Sequence, residues 1–290
     1  MLSTSEQREL FAHNGFQIFR EAIPALEAQK MATLIKAGYG VSEMELFTRA
    51  DIVNQVPELA SYITDPRIVE RVRTCIGDDV RFVQQSDFHA NYVAHEWHRD
   101  SANREFGIGC DWREDHEPYR VAKAMMYLEA KDIAFAIIPC SHRLNIPETS
   151  DWREIATYDV LPSGNVLDVP LYEDGNIRPV LVEGTPGDLL IFDIRLLHGG
   201  RIFGASHEFL QGALEHPKSQ MAIVYGANNE HSRRFHSYTR FVRQDMGYAD
   251  LPDHYLEILN SKDLLLDGMT ENIFDRAPSL GEGILGLPSQ

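Results

Sequence analysis

Apolar residues near the start of the chain recur at helical spacing and are separated by residues that end helices. Residues 5–37 predict two helices around a short strand at residues 16–19, and Asn14-Gly15 marks where the first helix ends. A further helix is predicted at residues 68–76, between Asp65-Pro66 and Gly77. This part of the chain is therefore expected to be mainly helical.

From residue 80 onward the pattern changes to short apolar runs separated by turn residues. Strands are predicted at residues 80–93, 119–128, 134–138, 180–182, 189–194 and 221–225, with a long polar loop at residues 101–118. Such a series favours a jelly roll or β-sandwich over alternating βαβ units. We predict one domain over residues 1–290: N-terminal helices (about 1–78), a jelly-roll core (about 79–228) and a C-terminal helical extension (about 229–290).

Composition narrows the choice of partners and compartment. The chain has 290 residues, 43% hydrophobic and 24% charged, and no apolar run long enough to span a bilayer. The first residues do not resemble a secretory signal, and three widely spaced cysteines make no disulfide framework. A cytoplasmic protein is expected. The net charge of −17 disfavours nucleic acid and anionic membranes as partners, and nothing in the sequence indicates the oligomeric state.

The segment HEWHRD, residues 95–100, carries the first candidate chemistry. Side chains two residues apart on a strand share a face, so His98 and Asp100 should lie side by side. An imidazole and a carboxylate are two of the three ligands of the facial triad that binds non-haem Fe(II). His95 falls on the opposite face, and Glu96 as a fourth ligand would block a coordination position that the chemistry needs.

The third ligand should be a histidine from elsewhere in the chain. Gly184-Thr185-Pro186-Gly187-Asp188 predicts a turn, and the apolar strand that follows leads to Leu197-His198-Gly199-Gly200. A histidine at the end of a buried strand, followed by glycines that let the backbone pass closely, suits a ligand position. We therefore predict that His98, Asp100 and His198 bind one metal ion.

The motifs together resemble the phytanoyl-CoA dioxygenase family of Fe(II)- and 2-oxoglutarate-dependent oxygenases. The resemblance covers roughly residues 11–225 and rests on the order of Gln85-Ser86, Trp97-His98-x-Asp100, Ile138-Pro139-x-Ser141-His142, Pro186-Gly187-Asp188 and Leu197-His198-Gly199. It implies a double-stranded β-helix (cupin-like jelly-roll) core. It also implies an enzyme that uses Fe(II), 2-oxoglutarate and O₂ to oxidise a C–H bond of a small molecule, releasing succinate and CO₂. Hydroxylation is the default outcome, and desaturation, epimerisation or cyclisation are alternatives. Halogenating relatives lack the carboxylate ligand, so Asp100 disfavours that chemistry.

The resemblance also suggests which residues bind the cosubstrate. In this family an arginine, seven residues before an aromatic residue, pairs with the far carboxylate of 2-oxoglutarate; here that position is Lys218, before Tyr225. Lysine keeps the charge but loses the bidentate fork, and Lys123 or Arg201 is an alternative anchor. Gln85 matches a family position that hydrogen-bonds the cosubstrate.

The sequence gives few indications of which residues contact the substrate. Arg104 and Trp112 in the long polar loop are candidates for substrate contacts, and His89 for lining the pocket. Two other functions stay open: a non-catalytic relative that binds a metal or ligand, and a jelly-roll metalloenzyme that does not use 2-oxoglutarate. The lysine at position 218 is the feature that favours the first of these.

Overall fold

The computed structural model describes most of the predicted helices and strands. The described residues are 3–91, 97–100, 117–129, 132–143, 159–160, 180–199, 217–243 and 246–270. The helices are α1 (Thr4–Asn14), α2 (Ala25–Tyr39), α3 (Ile52–Gln55), a 3₁₀ helix (Pro57–Thr64), α4 (Pro66–Ile76), α5 (Glu230–Val242) and α6 (Asp253–Ser261). No helix in these ranges is both long and apolar enough to cross a membrane.

Ten strands in the described ranges form two sheets. They are β1 (Phe16–Phe19), β2 (Phe47–Ala50), β3 (Arg81–Ala90), β4 (Val121–Tyr127), β5 (Asp132–Ile137), β6 (Asp159–Val160), β7 (Val180–Gly184), β8 (Leu189–Asp193), β9 (His198–Gly199) and β10 (Ser219–Gly226). The six-stranded sheet has the order β1-β8-β4-β10-β3-β2, and the four-stranded sheet the order β6-β7-β5-β9. All pairs are antiparallel except β6 with β7.

Each face of the six-stranded sheet packs against a different partner because side chains alternate along a strand. On β4, Ala124 and Met126 belong to a core shared with the helices, whereas Met125 and Tyr127 belong to a core shared with the second sheet. The helix-facing core includes Ile35, Val72, Ile76, Phe88, Ile191 and Ile223. The core between the sheets includes Phe135, Ile137, Val180, Val182, Leu190 and Phe192. The two sheets therefore lie face to face.

The predicted fold class, mainly β with flanking helices, is confirmed, and most element positions agree with the sequence. Gly15 ends α1 in a left-handed conformation (φ 83°), as the Asn-Gly pair indicated. Strand β2 was not predicted, because it is an edge strand with mostly exposed side chains and no clear alternation. Helix α5 begins at Glu230, beside the predicted start of the C-terminal extension near residue 229, and the Asn229 side chain caps it by accepting a hydrogen bond from Ser232 N.

The turn Pro186-Gly187-Asp188 ties the N-terminal segment to the core. Gly187 has φ 93°, its N–H donates to Tyr127 O, and its carbonyl accepts from Ile23 N. The Asp188 carboxylate accepts from Glu21 N at 2.9 Å and pairs with Arg20 at 2.6 Å. A side chain at position 187 would meet a backbone atom, since a Cβ there would lie 2.1 Å from Ile23 O.

Gly187→Ala is therefore expected to lower the free energy of unfolding by about 3 kcal/mol, because a left-handed residue with a Cβ is strained and the contact cannot relax. Gly38→Ala in α2 is the matched control, since a Cβ at Gly38 meets nothing within 4 Å. That change should stabilise the protein by about 0.5–1 kcal/mol. Urea unfolding measures both values, and equal effects of the two substitutions would contradict the proposed role of the turn.

Candidate metal centre

Backbone hydrogen bonds bring His98, Asp100 and His198 together between the two sheets. His98 N donates to His198 O at 2.9 Å, and His198 N donates to His98 O at 3.0 Å. Asp100 N donates to Ile194 O at 2.9 Å, which places the carboxylate beside both imidazoles. One potential ligand atom from each of the three residues lies within 4.8 Å of the others. The spacing suits a single metal ion held by two nitrogens and one oxygen.

The orientation of His198 is fixed by its own turn and by aromatic neighbours. Its Nδ1 lies 2.9 Å from Leu196 O, a contact that places the proton on Nδ1 and leaves the Nε2 lone pair for a metal. Nε2 lies 3.5 Å from Asp100 Oδ2. The rings of Phe192 and Phe135 pack on the imidazole at centroid distances of 4.9 and 5.4 Å. These contacts limit rotation of the ring before any metal binds.

The segment before His198 is held by a second set of hydrogen bonds. Leu197 N donates to Ser141 Oγ at 2.7 Å, and Arg99 Nε donates to Arg195 O at 2.9 Å. Arg195 pairs with Asp193 at 2.8 Å. Ser141, from the I-P-x-S-H motif, thus helps to hold the backbone that presents His198, the distal histidine of the triad. His142 lies nearby and contacts Ala12 O of α1 at 3.1 Å, away from the three candidate ligands, in agreement with a structural role.

Asp100 is paired with Lys123 on β4. Lys123 Nζ donates to Asp100 Oδ2 at 2.6 Å, and the two side chains are only 9% and 6% exposed. Burial by itself would raise the pKa of Asp100, but the charge of Lys123 and the two imidazoles hold that pKa well below its ordinary value. The carboxyl group is therefore ionised, as a metal ligand must be.

Beyond the triad, three polar side chains line one face of β3, and we call this row the polar wall. Gln85, Asp87 and His89 alternate with residues of the helix-facing core and so share the inner face. Gln85 Nε2 donates to Asp87 Oδ2 at 2.9 Å, and Arg243 Nη1 lies 2.8 Å from each Asp87 oxygen. Burial raises the pKa of Asp87, yet the charges of Arg243 and Lys123 bring it below its ordinary value. Burial also lowers the pKa of His89.

The predicted site residues fall into three groups. His98, Asp100 and His198 come together, and Lys123 joins them. Gln85 lies on the polar wall, and Lys218 is buried just before β10, where its N–H donates to Asn91 Oδ1 at 3.1 Å. Arg104, Trp112 and Arg201 lie outside the described residues, as do His95 and Glu96. Sequence reasoning missed Arg243, which no motif marks.

Comparisons with known proteins identify the family and the fold of the chain. The sequence pattern of the phytanoyl-CoA dioxygenase (PhyH) family matches residues 14–202, more than half of the chain. HygX from Streptomyces hygroscopicus, solved with nickel and 2-oxoglutarate bound, is 17% identical, with a TM-score of 0.54 over 78% of this chain and 88% of HygX. No curated protein matches the chain.

Two structures from nogalamycin biosynthesis have the same fold. SnoN, a non-haem α-ketoglutarate-dependent epimerase, is 14% identical, with a TM-score of 0.51 over 78% of this chain and 83% of SnoN. SnoK, a carbocyclase of the same type, is 15% identical, with a TM-score of 0.52 over 79% and 85%. At these identities the likeness establishes the fold, and the family follows from the sequence match. The chain therefore belongs to the phytanoyl-CoA dioxygenase family of Fe(II)- and 2-oxoglutarate-dependent oxygenases, as its motifs predicted.

Proposed function

We propose that this oxygenase hydroxylates a C–H bond of a small-molecule substrate. The balanced reaction converts substrate, 2-oxoglutarate and O₂ into the hydroxylated product, succinate and CO₂, with one oxygen atom entering succinate and the other the product. The observation that carries the proposal is the convergence of His98, Asp100 and His198, with ligand atoms within 4.8 Å of one another. Three protein ligands on one face leave three positions of an octahedral ion for small molecules.

In this proposal the triad holds Fe(II), which with 2-oxoglutarate supplies the oxygen-activating chemistry when bound. His198 presents Nε2 because its Nδ1–H is held by Leu196 O. Lys123 hydrogen-bonds one oxygen of Asp100, which favours ligation through a single carboxylate oxygen and keeps the other positions open. Phe135 and Phe192 restrict water on one side of the site.

The cosubstrate is a dianion and needs positive charge beside the metal. Family resemblance suggests Lys218 as the anchor of the far carboxylate and Gln85 as a hydrogen-bond partner, with Lys123 and Arg201 as alternative anchors. Gln85 is supported by its place on the polar wall, where it donates to Asp87. Lys123 is already paired with Asp100, so its charge serves mainly to balance the metal ligand.

The proposal also covers the outcome of the reaction and the residues that contact the substrate. Hydroxylation is the default result of this chemistry, and the intact Asp100 disfavours halogenation. Epimerisation, as described for SnoN, and ring closure, as described for SnoK, are other outcomes that this fold supports in those proteins. Arg104 and Trp112 remain the proposed substrate contacts.

The proposed function predicts oxygen-dependent succinate formation. Protein loaded with Fe(II) should convert 2-oxoglutarate into succinate in air, slowly without substrate and faster when a metabolite extract supplies one. Mass spectrometry should then find a product 16 mass units heavier than its precursor, and it should carry label when ¹⁸O₂ is used. Succinate formation that no extract stimulates, together with no labelled product, would contradict the proposal.

A further inference from the structure

We propose that Arg243, from the segment after α5, binds the far carboxylate of 2-oxoglutarate, with Asp87 as its positioning partner. This inference rests on the proposed function. It differs from the expectation based on family resemblance, which places the anchor at Lys218 on the strand after the distal histidine. Arg243 lies beyond the residues that match the family pattern, 14–202.

The contact between Arg243 and Asp87 fixes the guanidinium but leaves much of it available. Both hydrogen bonds to Asp87 come from Nη1, at 2.8 Å, and no other carboxylate within the described ranges forms an ion pair with Arg243. The Asp87 side chain is 5% exposed and that of Arg243 21%. A guanidinium held by one nitrogen can still present its remaining N–H groups to a ligand carboxylate.

The surroundings of Arg243 also suit a bound ligand. Asp87 accepts from Gln85, the residue that the family resemblance places at the cosubstrate. The guanidinium carbon lies 6.0 Å from the centre of the Tyr248 ring. The Tyr248 hydroxyl is buried, and no described residue accepts its hydrogen bond. A buried donor without an acceptor indicates a group that is satisfied by a ligand or water, and a carboxylate on Arg243 would supply the acceptor.

Strand register places Asp87, the partner of Arg243, nearer to Lys123 than Lys218 is. Lys123, which contacts Asp100, lies opposite Val224 of β10. Asp87 lies opposite Ala222, two residues from Val224, whereas Lys218 precedes Val224 by six residues. At ~3.3 Å per residue these separations are about 7 Å and about 20 Å along the sheet. The five-carbon chain of 2-oxoglutarate, with one end at the metal, fits the shorter separation better.

Charge and shape also favour Arg243 over Lys123 and Lys218 as the anchor of the far carboxylate. Lys123 is already committed to Asp100. Lys218 offers one point charge, whereas arginine restores the planar fork that a carboxylate binds through two hydrogen bonds. The sequence departs from the family at position 218, and Arg243 supplies the missing guanidinium from another part of the fold.

Anaerobic titration of the Fe(II)-loaded protein tests this assignment, because chelation of a 2-oxo acid gives a visible charge-transfer band. The probes are 2-oxoglutarate and 2-oxopentanoate, which has the same chain length but a methyl group in place of the far carboxylate. In the double variant Arg243→Gln/Asp87→Asn, which leaves no unpaired buried charge, the Kd for 2-oxoglutarate should rise by about 10- to 100-fold. The Kd for 2-oxopentanoate should stay within about twofold.

Two further variants complete the experiment. Arg240→Gln removes a charge from the last turn of α5, three residues before Arg243, where Arg240 pairs with the exposed Asp250, and should change neither Kd. Lys218→Gln should have less effect on 2-oxoglutarate than the double variant. Equal weakening of both probes, or selective loss of 2-oxoglutarate in Lys218→Gln alone, would overturn the Arg243 assignment. Absence of the band in the native protein would instead contradict the proposed function itself.

Discussion

His198→Ala is expected to abolish metal-dependent turnover, with a fall in succinate formation of at least about 1,000-fold. The substitution removes one of three ligand atoms that lie within 4.8 Å of one another, and the remaining pair cannot hold Fe(II) in the facial arrangement. Turnover is measured as succinate released per iron, and iron content by elemental analysis after desalting. Both should fall together.

The control for this substitution is His254→Ala, which removes an exposed imidazole near the start of α6. It should leave iron content and turnover unchanged. Circular dichroism of the His198→Ala protein should match that of the native protein, because the neighbouring backbone is held by hydrogen bonds that do not use the imidazole. Full activity and full iron content in His198→Ala would remove His198 from the site.

Lys123→Met is expected to destabilise the metal-free protein strongly and to tighten metal binding. Without Lys123 the buried Asp100 carboxylate loses its 2.6 Å partner, and an unpaired buried charge costs about 3–5 kcal/mol. A divalent ion restores the compensation, and it no longer meets a neighbouring ammonium, so metal affinity should rise by about tenfold or more. Thermal unfolding with and without Co(II), together with calorimetric titration of Co(II), measures both effects.

Lys36→Met provides the matched control, since Lys36 forms a similarly buried pair with Glu129 at 2.7 Å. It should lower stability by the same amount with and without metal. The diagnostic result is therefore the difference in metal-induced stabilisation between the two variants. If Co(II) stabilises Lys123→Met no more than the native protein, the contact between Lys123 and Asp100 does not control the metal site.

Local pattern was sufficient to predict much of the fold, and it singled out three residues that the structure brings together. Strand alternation placed His98 and Asp100 on one face, and a histidine ending an apolar strand identified His198. Each of these inferences uses residues that are neighbours in sequence. The turn around Gly187 was predicted in the same way, although the sequence did not reveal that it clamps Ile23 of the N-terminal segment.

The rest of the site depends on contacts between residues that are distant in sequence. Arg243 and Asp87 are 156 residues apart, and Lys123 and Asp100 are 23 apart. No periodicity or motif links the members of these pairs, because an ion pair needs only complementary charges that the fold brings together. The family resemblance suggests Lys218 as the residue that binds the far carboxylate of 2-oxoglutarate. The register of β3, β4 and β10, which places Asp87 near Lys123, favours Arg243 instead.

In the proposed site His98, Asp100 and His198 hold Fe(II) with positions open for 2-oxoglutarate. Anaerobic addition of 2-oxoglutarate to the Fe(II)-loaded native protein tests this arrangement. We expect a visible charge-transfer band that saturates at one 2-oxoglutarate per iron and is absent from His198→Ala. A native protein that retains one Fe(II) per chain and yet gives no band with 2-oxoglutarate would contradict the claim.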